Sequence, residues 1–344
     1  MHYLVTGHTG FKGAWLALLL HELGHEVSGL ALDPAPGSLF ERARVGELLT
    51  ADHRVDIRDA AATRDALAST APDVVLHLAA QPLVRESYRD PRTTWETNVN
   101  GTYNVLDAVQ AAGGVRATVV VTTDKVYRNV DQIWGYRESD PLGGFDPYSA
   151  SKAAADLLTQ SWIVSSGAAT PTAIARAGNV IGGGDVCPER LMVDLVASFS
   201  ARQPVRLRYP DAVRPWQHVL DCLQGYLALA DSLLAGNHAG EAFNFGPGTS
   251  SFVRVGDIAA SVAKLWGDDA QVVVDRGDGL HEAGLLALDS RKAELELGWS
   301  DRLTLDDALA WTVEWSRDVL DGAPARERTV AQITEFLQRG RQHA

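Results

Sequence analysis

The first 180 residues alternate between short apolar runs and longer amphipathic segments. The apolar, β-branched runs predict strands at 2–7, 26–32, 73–80, 118–123 and 172–178. The segments between them predict helices at 12–23, 60–70, 91–112 and 148–165. Near-continuous apolar strands that alternate with helices are typical of a parallel sheet covered on both faces. The pattern therefore predicts an α/β fold with a doubly wound sheet, whose ligands bind beyond the carboxyl ends of the strands.

Beyond residue 180 the pattern becomes less regular, and no clear linker interrupts it. A glycine-rich loop, IGGGD, is followed by a predicted strand and three predicted helices, namely the strand 241–247 and the helices 217–234, about 256–266 and 304–320. We expect a larger domain at 1–178, completed by a returning segment at about 214–247. A smaller, discontinuous lobe is expected from about 179–213 and 248–344.

Composition narrows the classes of partner. The chain has 344 residues, 31 Lys plus Arg and 44 Asp plus Glu, so its net charge is −13 and we expect neither nucleic acid nor an anionic membrane as partner. The longest apolar run, AWLALLL, is too short to span a bilayer. Cys187 and Cys222 define neither a disulfide framework nor a metal site, and no histidine spacing suggests a metal. Without a recognisable signal peptide, the expected location is the cytoplasm.

A glycine loop joins the first predicted strand to the first predicted helix. In TGHTGFKGAW, Gly7, Gly10 and Gly13 permit a tight turn and a close approach of backbone N–H groups to a pyrophosphate at the helix N-terminus. The spacing is GxxGxxG, and an ordinary strand–helix turn is the alternative interpretation. Asp33 follows the second strand, where a carboxylate can hold the adenosine ribose and disfavours a 2′-phosphate. The loop therefore predicts a Rossmann-type domain that binds NAD in preference to NADP.

A tyrosine and a lysine share one face of the predicted helix at 148–165. In DPYSASKAAADLL, Tyr148 and Lys152 stand at i and i+4, so the ammonium can favour the phenolate. A phenolate beside a nicotinamide can take the proton of an alcohol while hydride leaves the same carbon. Taken alone, the pair fits an exposed helix surface equally well. With the glycine loop and the strand-end Thr123 in this chain order, it resembles the short-chain dehydrogenase/reductase superfamily, in its extended nucleotide-sugar branch.

That resemblance implies a role for each residue of the motif. It implies that Thr123 hydrogen-bonds the substrate hydroxyl, that Tyr148 is the acid/base and that Lys152 orients the cofactor ribose. Around them we expect further cofactor contacts from Thr9, Phe11, Lys12, Asp56, Ile57, Leu78, Ala79, Ala80 and Thr97. Asp56 and Ile57 fit an ordinary surface loop nearly as well.

Two charged residues directly follow Thr123 in the stretch VVVTTDKVY at 119–127. Simple oxidation does not need Asp124 and Lys125, but an elimination needs an added acid and base. Oxidation of C4 of a hexose acidifies the proton on C5, so a base can remove that proton while an acid protonates the departing C6 hydroxyl. A lysine base must be neutral for part of the time, and burial beside Lys152 would favour the neutral amine. The alternative is a strand that turns polar at the surface.

Several segments carry a closer resemblance: VTGHTGFKG, HLAAQPLVRESY, TTDKVY, GYRESDPLGGFDPYSASK, ARAGNVIGGGD, RPWQHVL and HEAGLLALDS. Together they resemble the CDP-glucose 4,6-dehydratase family, over nearly the whole chain. The TDK element is specific, since related dTDP-glucose and GDP-mannose dehydratases carry Thr-Asp-Glu and 4-epimerases lack the pair. The resemblance implies an NAD that is retained through the cycle, a hydride taken from C4 and returned to C6, the product CDP-4-keto-6-deoxy-glucose, and a homodimer.

The chain departs from that family pattern near the substrate. Val186 and Cys187 replace an aromatic and acidic residues after GGGD, while Val126 and Arg128 replace a cysteine and an acid in the family's DKCYEN pattern. The preferred nucleotide and hexose therefore stay open, with a 4-epimerase or another NDP-hexose dehydratase as the alternative enzyme. A dinucleotide-binding regulator without catalysis is the alternative from another class, and the intact catalytic motif argues against it.

The remaining expectations concern the substrate side. In an acidic chain, arginines around a pocket suit a pyrophosphate, and separate surface arginines are the alternative. The residues expected to contact substrate are Gln81, Ser87, Tyr88, Asn179, Arg190, Arg208, Arg214 and His281. No metal ligand is predicted.

Overall fold

A seven-stranded parallel sheet forms the centre of the computed structural model, which describes residues 1–165, 167, 169–267, 270–274 and 285–342. The strands are β1 (His2–Thr6), β2 (Glu26–Ala31), β3 (Ala51–Arg54), β4 (Val74–His77), β5 (Ala117–Val121), β6 (Thr172–Ala177), β7 (Asn179–Ile181), β8 (Val205–Leu207), β9 (Val213–His218), β10 (Ala242–Phe245), β11 (Phe252–Arg254) and β12 (Val272–Val274). The order in the large sheet is β10-β6-β5-β4-β1-β2-β3, with every neighbouring pair parallel. The predicted doubly wound α/β fold is confirmed.

Helices cover both faces of this sheet. The helices of the described residues, including those of the smaller set of elements described below, are α1 (Phe11–Glu22), α2 (Leu39–Arg42), α3 (Ala60–Thr70), α4 (Val84–Arg89), α5 (Pro91–Trp95), α6 (Thr102–Ala112), α7 (Pro147–Ser165), α8 (Leu191–Ser200), α9 (Val219–Leu234), α10 (Val255–Trp266), α11 (Arg291–Leu297), α12 (Leu305–Leu320) and α13 (Ala325–Gln342). Short 3₁₀ turns lie at Val45–Leu48, Asp124–Val126 and Thr249–Ser251, and a π-helical turn at Glu96–Gly101 separates α5 from α6. No helix of the described residues is long and apolar enough to cross a membrane.

The alternation of side chains along each strand explains why both faces are apolar. In β1, Tyr3 and Val5 pack into the core that α1 and α9 complete, whereas Leu4 packs into the core of the α3 and α6 face. A strand buried on both sides reads as a continuous apolar run, because successive side chains point to opposite faces. The order reverses between β1 and β4, which places the ligand crevice of such a sheet at their carboxyl ends.

A smaller set of elements lies after the sixth strand of the large sheet. β7, β9 and β11 form a three-stranded sheet, and β8 pairs with β12. Helices α8, α10 and α12 contribute to a separate core with these strands. Helix α9, by contrast, packs into the core of the large sheet, which β10 extends beyond β6. The division of the chain into two domains at the expected boundaries stays a prediction.

Candidate active site

The glycine loop between β1 and α1 approaches two other segments closely. Gly7 has a φ of +76°, and a Cβ there would lie 2.9 Å from the Ala79 nitrogen. A Cβ on Gly13 would lie 2.2 Å from the Gly7 carbonyl oxygen. Gly10 stands directly before α1 with an extended backbone, so the first N–H groups of that helix point into the loop. This loop can bind the pyrophosphate of a dinucleotide, because glycine leaves room for it and the helix N-terminus favours an anion.

The residues expected near the adenosine lie beyond the carboxyl ends of β2 and β3. Asp33 is exposed in the loop after β2, and Thr9 donates from Oγ1 to the Leu32 oxygen (3.0 Å). Asp56 accepts hydrogen bonds from Arg58, which lower the pKa of its carboxyl. Ile57, next to it, is buried in the core on the α3 face. Asp33 is therefore free to reach a ribose, whereas Asp56 is engaged by its neighbour.

The other residues expected to contact the cofactor lie after β4, on the first turn of α1 and in the π-helical turn. The N–H groups of Leu78 and Ala79 both donate to Thr6 Oγ1 (3.1 Å each). Lys12, on the first turn of α1, donates from Nζ to the Tyr226 hydroxyl (3.2 Å). The other expected contacts are half-buried: Phe11, Ala80 and Thr97.

Tyr148 and Lys152 are both buried on the first two turns of α7, below the end of β5. Burial raises the pKa of Tyr148 to about 12, although a hydrogen bond with Thr123 acts in the opposite direction. Lys152 donates from Nζ to the Val121 oxygen (2.8 Å). Burial, assisted by the positive charge of Lys12, lowers the pKa of Lys152 to about 8. The expected lowering of the tyrosine pKa is therefore wrong for the chain alone, because burial raises that pKa.

Asp124 and Lys125 occupy the 3₁₀ turn that follows Thr123. Thr123 Oγ1 donates to Asp124 Oδ1 (2.9 Å), and the Lys125 Nζ lies 3.6 Å from the same oxygen. Asp124 is 1% exposed, and its Oδ2 has no hydrogen-bond partner among the described residues. The Lys125 side chain is 30% exposed, so the expected burial beside Lys152 is wrong. The turn thus holds a buried carboxylate with one free oxygen beside a half-exposed ammonium.

Arg190 is the expected substrate residue that the structure brings to this centre. It donates from Nη1 to Asp185 Oδ2 (2.7 Å), and its charge acts on the pKa of Tyr148. Arg208 follows β8. Burial raises the pKa of Asp194 on α8, and the positive charge of Arg208 acts in the opposite direction. Arg214 is buried in β9 and donates from Nη1 to the Val213 oxygen (2.8 Å). Arg190 is thus close enough to Tyr148, a predicted catalytic residue, for its charge to act on that residue's pKa.

The other expected substrate residues differ in how free their side chains are. Asn179 is half-buried in β7, and Tyr88 is exposed on α4. Gln81 donates from Nε2 to Thr94 Oγ1 (2.7 Å), and Ser87 is buried and donates to the Val84 oxygen (2.6 Å). His281 lies outside the described residues. Contact of these residues with substrate stays a prediction.

Asn98 is a further residue of this region that the sequence pattern did not single out. It lies in the π-helical turn, where its Oδ1 accepts from the Gln81 nitrogen (2.8 Å) and its Nδ2 donates to Ser151 Oγ (2.9 Å). It thus ties the loop after β4 to the helix that carries Tyr148. A signal was present in the sequence, because Asn98 and Gly101 both fall inside the predicted helix at 91–112. Such residues favour an interruption of the helix, and π-helical turns that interrupt helices are frequent at functional sites.

Known proteins share this arrangement along nearly the whole chain. Residues 3–246 match the model of the NAD dependent epimerase/dehydratase family. The chain is 42% identical, over 97% of its length and 95% of the relative's, to a CDP-glucose 4,6-dehydratase of Salmonella typhimurium. It is 34% identical, over 91% of its length and 93% of the relative's, to a dTDP-glucose 4,6-dehydratase of Streptomyces griseus.

A solved structure agrees with these relatives. The dTDP-glucose 4,6-dehydratase DesIV from Streptomyces venezuelae, with NAD and TYD bound, superposes with a TM-score of 0.77 at 30% identity, over 92% of this chain and 97% of that one. The resemblance seen in the sequence motifs is thereby confirmed. The chain belongs to the NAD-dependent epimerase/dehydratase family.

Proposed function

We propose that the protein is an NAD-dependent hydro-lyase that converts CDP-D-glucose into CDP-4-keto-6-deoxy-D-glucose and water. The observation that carries the proposal is the turn at Asp124–Val126, which adds an acid and a base to an oxidation site built from Thr123, Tyr148 and Lys152. The relative at 42% identity, a CDP-glucose 4,6-dehydratase, supports the choice of nucleotide.

The cofactor would lie across the carboxyl ends of β1, β2 and β4. Gly7, Gly10 and Gly13, with the first turn of α1, would hold the pyrophosphate, and Asp33 the adenosine ribose. Bound NAD would accept the hydride from C4 and return it to C6. Gly7 and Gly13 support this fit, because a side chain at either position would collide with neighbouring backbone and displace the loop.

Three residues would carry out the oxidation of C4. Tyr148 takes the C4 hydroxyl proton, and Thr123, which hydrogen-bonds to it, orients that hydroxyl. Lys152 holds the cofactor ribose and supplies a positive charge that favours the phenolate. In the chain alone burial raises the pKa of Tyr148 to about 12, so we infer that the positive charge of a bound nicotinamide would have to help to stabilise the phenolate.

Asp124 and Lys125 would carry out the elimination. Lys125, half-exposed at the cleft, removes the C5 proton that the C4 ketone has acidified. Asp124 donates a proton from its free Oδ2 to the departing C6 hydroxyl.

The arginines of the smaller lobe would bind the nucleotide diphosphate. We assign the pyrophosphate to Arg190, Arg208 and Arg214, since a guanidinium matches phosphate oxygens through paired hydrogen bonds. Arg190 supports this assignment most directly, because it binds Asp185 of the glycine-rich loop IGGGD and its charge acts on the pKa of Tyr148. Asn179 would contact the substrate near its phosphates.

We also propose a homodimer that pairs α6 and α7 with the same helices of a second copy. These helices expose Tyr103, Leu157 and Val164, of which Leu157 is 53% and Val164 85% exposed. Apolar side chains of this size on neighbouring helices favour burial in an interface. The two free cysteines are compatible with the cytoplasm that we propose as its location. Sedimentation of the protein as a monomer at micromolar concentration would contradict the dimer.

A panel of nucleotide sugars tests the function. Values of kcat/KM are measured for CDP-, dTDP-, UDP- and GDP-glucose through the alkali-dependent absorbance of the 4-keto product, with Tyr148→Phe as the inactive control. We expect the highest value with CDP-glucose. The second candidate is dehydration of dTDP-glucose, favoured by the Streptomyces griseus relative, and a higher kcat/KM for that substrate would replace our proposal. Interconversion of C4 epimers without loss of water would show a 4-epimerase instead.

A further inference from the structure

Asp156 of α7 and Arg176 of β6 form an ion pair that is shielded from solvent. Arg176 donates from Nε to Asp156 Oδ2 and from Nη2 to Oδ1, both at 2.8 Å. The two side chains are 0% and 1% exposed. Such a bidentate pair is rigid, because a planar guanidinium and a planar carboxylate fit in one orientation. We call it the Asp156–Arg176 pair.

This pair contacts the residues on either side of the predicted catalytic segment 123–125. Thr122, before the segment, donates from Oγ1 to Asp156 Oδ2 (3.1 Å). Tyr127, after the segment, accepts at its hydroxyl a hydrogen bond from Arg176 Nη1 (2.9 Å). The Arg176 guanidinium also lies 5.1 Å from the centre of the Tyr127 ring. The segment is therefore held at both ends by one rigid unit.

The same unit holds the helix that bears the other two catalytic candidates. Tyr148, Lys152 and Asp156 stand at i, i+4 and i+8 of α7, so they share one face of that helix. Asp156 is the carboxylate whose charge raises the pKa of Lys152, against burial and Lys12, which lower it. The pair thus joins the face with the acid/base tyrosine to the strand end with the elimination residues.

Stability alone is a weak reason for such a pair. Removing two charges from water is costly, and apolar residues of similar volume are often as stabilising or more so. What a bidentate ion pair adds is a fixed relative position of the two elements that carry it. A displacement of about 1 Å between reacting groups can reduce the rate about 10²-fold.

We propose that Asp156 and Arg176 are positioning residues, which set the segment 123–125 against Tyr148 and Lys152 so that oxidation and elimination act on one bound hexose. The inference rests on the proposed function. It assigns neither residue a contact with substrate or cofactor. Its consequence is a loss of kcat that greatly exceeds any loss of folded protein.

The structure also offers a chemical test. Arg176 borders a cavity of about 550 Å³ that opens to solvent beside β10, and Glu138, Gln160 and Lys292 line it as well. In Arg176→Ala, free guanidinium ion can enter through this cavity and occupy the place of the missing group. Added guanidinium at millimolar concentration should therefore restore part of kcat to Arg176→Ala but none to a variant damaged elsewhere.

The matched control is Leu67→Ala, which opens a void in the core of the α3 face, away from the pair. Folded fractions are measured by thermal unfolding, and kcat is normalised to them. We expect kcat to fall about 10²-fold in Asp156→Asn and Arg176→Ala, with little change in KM, and to stay near that of the unchanged protein in Leu67→Ala. The double variant Asp156→Leu/Arg176→Met leaves no buried charge, so it keeps the test valid where Arg176→Ala does not fold.

A second readout separates positioning from mere folding. Among the described residues, the titratable groups that interact with Lys152 include Lys12 on α1, His77 at the end of β4 and Asp156 on its own helix, and Tyr148 shares its helix face. Loss of the Asp156 charge should move the limb of the kcat/KM profile that Lys152 controls to lower pH in Asp156→Asn, and should leave it unmoved in Leu67→Ala.

Two results would overturn the inference: an undiminished kcat per folded molecule in the double variant, or activation of Arg176→Ala by guanidinium that is no greater than that of Asp156→Asn, which keeps Arg176 and leaves no place for the ion. Failure of the unchanged protein to dehydrate any nucleotide hexose would instead count against the proposed function. The two failures are therefore distinguishable.

Discussion

Replacing Asp124 by Asn and Lys125 by Met is expected to separate elimination from oxidation. Asn keeps an oxygen in the place of Oδ1, so the hydrogen bond from Thr123 Oγ1, now 2.9 Å, can persist. What it cannot do is give a proton to the C6 hydroxyl. Met keeps the length of the Lys125 stem without its amine. The site for C4 oxidation, with Thr123, Tyr148 and Lys152, stays complete.

The size of the effect follows from the environment of Asp124. A positioned general acid or base contributes about 10²–10⁴-fold to a rate, which corresponds to about 3–5 kcal/mol of activation free energy. Asp124 Oδ2 is buried and has no hydrogen-bond partner among the described residues. No other described side chain is therefore hydrogen-bonded there to take over as the acid when Asp124 is replaced. Oxidation should not slow in Asp124→Asn, because burial and then the Asp124 charge both raise the pKa of Tyr148, and removing the charge favours the phenolate.

The assay follows both half-reactions in a single turnover with the proposed substrate, CDP-glucose. Reduced nicotinamide is followed by its near-ultraviolet absorbance, and the sugar is analysed for its C6 hydroxyl and for solvent deuterium at C5. We expect reduced cofactor and a 4-keto-hexose with its C6 hydroxyl to accumulate in the double variant, and deuterium exchange to fall in Lys125→Met. The single variants are measured beside the double one, since the two groups interact. A normal yield of 6-deoxy product from the double variant would refute the reasoning and make the turn a polar strand end.

Four further outcomes are expected. Tyr148→Phe should abolish reduction of the cofactor by CDP-glucose without changing thermal unfolding, and reduction at a normal rate would show that another base acts. Gly13→Val should abolish NAD binding in equilibrium dialysis, because a Cβ there would lie 2.2 Å from the Gly7 oxygen; retained binding would contradict the loop's role. Asp33→Ala should weaken the preference for NAD over NADP, and tighter binding of NADP by the unchanged protein would contradict the assignment of Asp33 to the ribose. Burial raises the pKa of Asp221 from 3.8 to about 7. The protonated carboxyl therefore contributes to the free energy of unfolding in full below pH 3.8, by about 4 kcal/mol. This contribution is lost as the pH rises from 3.8 to about 7. Asp221→Asn should therefore flatten the fall in unfolding free energy across that window in urea titrations, and an unchanged slope would contradict the shift.

The large sheet could be predicted because its strands are buried on both faces. Strands such as β4 and β5 are buried along their whole length and read as apolar runs. The edge strand β3 was not predicted, because its sequence ADHR is polar and its residues alternate between half-buried and exposed. The predicted helix at 91–112 is interrupted by a π-helical turn, whose cause is tertiary: Asn98 bonds to Gln81 and Ser151 there. Local periodicity carries no signal for such contacts.

The order of the site residues along the chain could be predicted, but their electrostatic environment could not. Thr123, Tyr148 and Lys152 converge because the end of β5 meets the first turns of α7. Sequence spacing says which residues share a helix face, and it does not say which of two lysines is buried. Of the two, Lys152 is buried and Lys125 half-exposed. The Asp156–Arg176 pair was equally invisible, because its partners are separated by 20 positions and come from different elements.

The exposure of Lys125 places the proposed base of the elimination beside its proposed acid, at the edge of the buried site. The Lys125 Nζ lies 3.6 Å from Asp124 Oδ1, so the two side chains are direct neighbours. On the proposed roles, one side chain gains the C5 proton and the other gives a proton to the C6 hydroxyl. The total charge of the two side chains is therefore the same before and after the elimination, and the buried site gains no net charge in this step.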